Sequence, residues 1–111
     1  MKKLAKISNV RLGFVGYQDA MFGVSFQFTG DGWGIGTGIY GGWKNSIEPR
    51  DNAKWTEADR THSRAEFVQK LDDIMTAAKV QEVGDLEGIP VEVTLENGNL
   101  KKWRVLKEVV E

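Results

Sequence analysis

The single histidine, His62, has Asp59 three residues before it and Glu66 four residues after it. That spacing puts an imidazole and carboxylates within reach on a helix, but a metal centre or proton relay needs further convergent groups that the sequence does not supply. His62 therefore reads as a solvated residue on an outer helix face. Asp72 and Asp73 are adjacent, so on a helix they diverge by about a hundred degrees and cannot share one substrate. There is no cysteine. Thiolate nucleophiles, disulfides and thiolate zinc sites are excluded together. No Gly-x-Ser-x-Gly elbow exists, and one histidine must serve any serine. The expectation is a chain without catalytic residues, metal or cofactor, and not an enzyme.

Binding chemistry has more candidates. Gly13 to Gly42 holds ten of the 13 glycines, with Tyr17, Trp33 and Tyr40 among them and only Asp19 and Asp31 charged. Two roles fit such a run: bulges and bends in a curled sheet, or a surface of flat rings and open backbone. Trp33 and Trp43 stand where glycine removes neighbouring bulk, which suits stacking on a planar ligand or insertion into a partner. Tyr17, Gln18 and Asp19 occupy a turn, and Tyr40 lies within the run. Arg60 and Arg64 are four apart, on the line of a helix's apolar stripe. They would grip an anion or, as such arginines more commonly do, pair with acids such as Glu57 or Asp59 and lay their stems over apolar surface. Gly36-Thr37-Gly38-Ile39-Tyr40-Gly41 matches the dinucleotide glycine pattern in letters, but no helical period follows to face a pyrophosphate. That match is rejected.

Period-two alternation places the elements that carry these residues. Val10, Leu12 and Phe14 predict a half-buried strand, and after the Gly16 to Asp19 turn Phe22, Val24, Phe26 and Phe28 predict a second. A turn at Thr29-Gly30-Asp31-Gly32 leads to a glycine-weakened third strand through Trp33, Ile35 and Ile39. Asn45 to Lys54, with Pro49, has neither period and is a loop. Thr56-Glu57-Ala58-Asp59 is a capping-box variant opening a helix, with Ser63-Arg64-Ala65-Glu66 as a competing start. The earlier start is favoured. The helix stripe is Phe67, Val68, Leu71, Ile74, Met75 and Ala78. Ile89, Val91, Val93 and Leu95 form a further strand, Asn97-Gly98 a tight hairpin turn, and Trp103, Val105 and Val109 the last strand. The order β-β-β-α-β-β predicts an α+β fold, a mainly antiparallel sheet packed against one long helix, with residues 1 to 111 as a single domain.

A 41% hydrophobic, 28% charged composition fits a folded globular chain, and a net charge of -1 supplies no field for nucleic acid. The basic start, Met1 to Lys6, is interrupted by Ser8, Asn9 and Arg11 before a signal-peptide core forms, and no segment approaches the roughly eighteen apolar residues of a membrane span. Neither nucleic acid nor membrane is an expected partner.

The chain resembles a family of small accessory proteins of uncharacterised function encoded by tailed bacteriophages and prophages. The resemblance is carried by Gly16-Tyr17-Gln18-Asp19-Ala20, Phe22-Gly23, Gly32-Trp33-Gly34, Trp43, Trp55-Thr56-Glu57-Ala58-Asp59-Arg60, Lys79-Val80, Pro90-Val91-Glu92-Val93 and Trp103-Arg104-Val105-Leu106. Val15 departs from the family's glycine before Gly16-Tyr17-Gln18, and Gly36-Thr37-Gly38 replaces an acidic-aromatic pair. The resemblance implies an accessory protein acting in the host bacterial cytoplasm and supplies no catalytic residues to carry over. The leading expectation is a non-enzymatic protein that binds and blocks a host protein, such as one of antiphage defence. A sponge that sequesters a small nucleotide between rings and arginines is the alternative, and a self-assembling structural protein, such as a homodimer paired through strand edges, is the third reading.

Overall fold

The computed structural model describes residues 1–109. Five strands, β1 (Lys2–Val15), β2 (Met21–Gly30), β3 (Trp33–Trp43), β4 (Pro90–Glu96) and β5 (Asn99–Val105), form one antiparallel sheet in the order β3-β2-β1-β4-β5. One helix, α1 (Glu57–Ala78), lies between β3 and β4 in sequence. The α+β arrangement and the element order match the periodicities.

β1 is the principal correction, because it begins at Lys2 rather than near Val10. Its register against β2 slips between Ser8 and Arg11, where Asn9 adopts a left-handed φ of 52°. Such a bulge reverses the in-out alternation. Ala5 and Ile7 therefore point inward before it, and Leu12 and Phe14 share the inner register after it, opposite Val24 and Phe22. The extra residue is tied down by Asn9 Nδ2 donating to Gln27 Oε1 at 2.6 Å and by the Val10 N–H donating to Glu87 Oε1 at 2.7 Å.

The core lies between the inner sheet face and α1: Ile7, Val24, Phe26, Phe28, Val91, Val93 and Val105 from the strands meet Phe67 and Ala78 of α1 and Leu86 of the following 3-10 turn. Trp103 of β5 touches Phe26 and Phe28 of β2 at ring-centroid distances of 5.5 and 4.9 Å, although β1 and β4 separate those strands in the sheet. The sheet is therefore curled, and α1 contacts both of its edge strands, β3 and β5. Natural right-handed twist supplies the curl, and Gly41 and Gly42 at the carboxy-terminal end of β3 leave room for α1 to pack close against it.

α1 starts at the earlier of the two signals. Thr56 Oγ1 accepts from the Asp59 N–H at 3.1 Å and Asp59 Oδ2 accepts from the Thr56 N–H at 2.8 Å, a complete capping box. Val68 departs from the expected stripe, at 62% exposed, because it sits on the flank of the packed face. The Asn97-Gly98 hairpin has positive φ at both residues, as its type requires. The last strand ends at Val105, and Val109 belongs to a 3-10 turn rather than to β5.

Candidate binding surface

β-pairing decides which candidate residues meet. Val15 opposes Met21, and Met21 opposes Trp43. The Tyr17–Asp19 turn, Trp43 and the amino-terminal turns of α1 are thereby gathered at one end of the sheet, and the Lys44 N–H donates to Ala20 O at 2.8 Å to join them. Trp33 is at the other end of β3, roughly 33 Å away at strand spacing. Its half-buried ring lies over Gly30, with Lys3 Nζ 5.2 Å from the ring centroid. Trp33 and Trp43 therefore do not belong to one surface.

Two arginines build the gathered end, and neither is free to hold an anion. Arg60 is 6% exposed, and its guanidinium donates to Lys44 O at 3.1 Å, to Ile47 O and to Glu57 Oε1 at 3.0 Å. It stacks on Trp55 at 4.8 Å, and Trp55 lies 6.4 Å from Trp43. Arg64 donates to Gly41 O at 2.8 Å, Trp43 O at 3.2 Å and Asn45 Oδ1 at 3.0 Å. Of the two acids read as partners, Glu57 pairs with Arg60 and Asp59 is spent on the cap. In the 44–47 turn Lys44 O accepts from the Ile47 N–H at 3.0 Å, and Arg60 adds a second donor there and supplies one to Ile47 O.

The same pair frames an apolar cleft. Arg64 covers the ring of Phe22 at 5.1 Å, and Phe22 meets Phe67 edge-on at 5.8 Å and Phe14 at 6.3 Å. Lys44 Nζ lies 5.4 Å from the Phe14 ring. Phe14, Phe22, Asn45 and Arg64 line a cleft of about 260 Å³. Beside it Leu12 and Phe14 are 54% and 53% exposed, and Tyr17, at the tip, is 74% exposed.

Leu12 and Phe14 were expected on the buried side of a half-buried strand, whereas Phe22, opposite Phe14, does pack against the core. A signal for the exposure of Leu12 and Phe14 existed: the stripe of α1 begins at Phe67, and its earlier turns offer Arg60 and Arg64 where an apolar cover is needed. Gln18 and Asp19 are exposed beside Tyr17, with left-handed φ of 53° and 52°. Tyr40 is exposed on the opposite sheet face, its ring folded over Gly38 and against Gly16. His62 faces outward and lies 2.9 Å from Glu66 Oε1.

A second groove of about 620 Å³ runs beside the carboxy-terminal half of α1, lined by Val68, Leu71, Met75 and Val80 among others. It contains none of the expected site residues. Among the described residues no group of three or more histidine, aspartate or glutamate side chains is placed to hold a metal ion, and no helix is long and apolar enough to cross a membrane. No family model, curated protein or solved structure matches the chain.

Proposed function

We propose that this chain is a non-enzymatic binding protein that engages a partner protein through the Leu12, Phe14 and Tyr17 surface. The observation that carries the reading is the exposure of Leu12 and Phe14, two apart on one face of β1 with Phe14 lining a cleft, and of Tyr17 in the turn that follows the strand. Exposed aromatic residues grouped at a pocket are the usual anchors of protein interfaces. The cleft volume suits one or two side chains, and Lys44 at its rim favours a partner whose apolar residue is flanked by a carboxylate. The resemblance to phage accessory proteins supports a host protein as that partner and blockade as the outcome. The nucleotide-sponge reading has less support, because the Arg60 and Arg64 donors already meet carbonyl oxygens.

The test is photo-crosslinking from position 14 in host lysate, followed by binding of the purified captured protein to wild type and to Phe14→Ser/Tyr17→Ser. The double variant, folded by circular dichroism, is expected to lose about tenfold or more in affinity. Equal affinity would remove this surface from the function.

A further inference from the structure

The two edges of the sheet differ in how they are protected. β5 carries Lys101, Lys102 and Arg104 within seven residues, and two of these charges are engaged, Lys101 with Glu96 at 3.0 Å and Arg104 with Glu92 at 3.3 Å and Glu108 at 3.1 Å. The Arg104 guanidinium also holds the Glu108 carboxyl below the usual carboxylate range. Charges of one sign along an edge prevent a second copy from pairing there. β3, the other edge, reads Trp-Gly-Ile-Gly-Thr-Gly-Ile-Tyr-Gly-Gly-Trp, with no charge and no proline over 11 residues. Its carboxy-terminal part is closed by Arg64, which takes the carbonyls of Gly41 and Trp43. From Trp33 to Thr37, no backbone outside the sheet bonds to it among the described residues.

The glycines of β3 divide at the same place. A side chain at Gly41 or Gly42 would press on Phe67, Ser63 or Arg60 of α1, and one at Gly38 would meet the Tyr40 ring. Gly36 has nothing within 4 Å of where a Cβ would stand, and Gly34 has only Phe28 O at 3.6 Å, an ordinary contact. Neither needs a left-handed backbone. The monomer thus gives no reason for glycine at 34 and 36, on the free half of the edge. A strand glycine commonly marks a bulge, a tight bend or the close approach of a ligand or another backbone, and the β2–β3 register has no bulge at 34 or 36.

We propose that β3 pairs antiparallel with β3 of a second copy across a two-fold axis at Ile35. That register sets Gly34 opposite the partner's Gly36 on the outer face, where no side chain hinders contact. On the inner face it sets Ile35 against the partner's Ile35 and Trp33 against the partner's Thr37. Trp33, Ile35 and Thr37 are only half-buried in one chain, so pairing removes apolar surface from water as well as satisfying edge hydrogen bonds. An isologous contact repels itself when its strand is charged, and this one is not. The joined sheet would have ten strands and would hold the two Phe14 surfaces on the order of 50 Å apart at strand spacing. The pairing does not depend on what the Phe14 surface binds.

Sedimentation equilibrium over a concentration series tests it, with the cysteine-free chain also allowing a clean thiol probe at Gly36→Cys. Wild type is expected to approach twice the 12.4 kDa chain mass as concentration rises. Gly34→Lys/Gly36→Lys, whose side chains enter open space in the single chain, is expected to stay folded and sediment at one chain mass. A thiol crosslinker of about 8 Å, the diagonal reach between paired strands, is expected to join two Gly36→Cys chains. A single-chain mass for wild type up to about millimolar concentration would overturn the proposal, since pairing weaker than about 4 kcal/mol would be needed to escape detection. Undiminished dimer in the double lysine variant would also overturn it, by placing the contact elsewhere.

Discussion

Arg60 is the residue on which the candidate surface most depends. A buried guanidinium is costly unless its donors find acceptors, and here the two terminal nitrogens find Lys44 O, Ile47 O and Glu57 with the plane stacked on Trp55, while Nε is buried without an acceptor among the described residues. Truncation removes the donor to Ile47 O and the second donor to Lys44 O, and leaves a cavity beside Trp55. Arg60→Ala is therefore expected to lower unfolding free energy by about 3 kcal/mol in urea denaturation followed by tryptophan fluorescence. Arg60→Lys should recover little of it, because an ammonium cannot span the planar fork. Glu57→Ala should cost under about 0.5 kcal/mol, since that carboxylate is largely in water. A large loss for Glu57→Ala with a small one for Arg60→Ala would mean the carbonyl contacts contribute little. Placing Arg60 and Arg64 beside the apolar line of α1 was legible from their four-residue spacing. Which acceptors they take was not, because the acceptors are backbone carbonyls of a segment with no period.

Among the elements, β3 shows two uses of glycine that the sequence leaves undivided. Gly41 lets α1 approach until Phe67 Cβ would stand 3.3 Å from an added methyl group, with Phe22 O at 3.2 Å. Gly36 faces open space. Gly41→Ala should therefore destabilise by about 1–3 kcal/mol through overpacking, whereas Gly36→Ala should stabilise by about 0.5–1 kcal/mol through lost unfolded-state entropy. Thermal melts of the two variants at dilute, single-chain concentration check this, and a shared sign would contradict the division. β1 gives the complementary lesson. Its alternation was read from Val10 onward because Asn9 breaks the period, and the Lys2 to Ser8 half was masked by its basic start.

For the whole molecule, curl is the decisive property. Trp103 reaches across the inner face to Phe26 and Phe28, and α1 touches both edge strands. Each half of the sheet therefore lacks a complete core without the other, and the chain should unfold as one cooperative unit. Far-ultraviolet circular dichroism and tryptophan fluorescence should give coincident urea transitions, and separated midpoints would show that the β4–β5 hairpin leaves independently. The curl also leaves Leu12 and Phe14 bare, because α1 meets that end of the sheet with arginines.

Sequence alone determined the element order, the capped start of α1, the Asn97-Gly98 turn and the inward set Phe22, Val24, Phe26 and Phe28. These follow from local periodicity and from turn or cap chemistry spanning a few residues. Tertiary structure alone decided that Trp33 lies a strand's length from Trp43, that Tyr40 and Phe14 occupy opposite faces, and that Arg60 and Arg64 hold a loop. It also decided which glycines packing requires. Those outcomes depend on strand register and on the path of α1 over the curled sheet, and one inserted residue, at Asn9, is enough to turn an alternating pattern over. Register is set by contacts between residues far apart in the chain, and no local pattern encodes it.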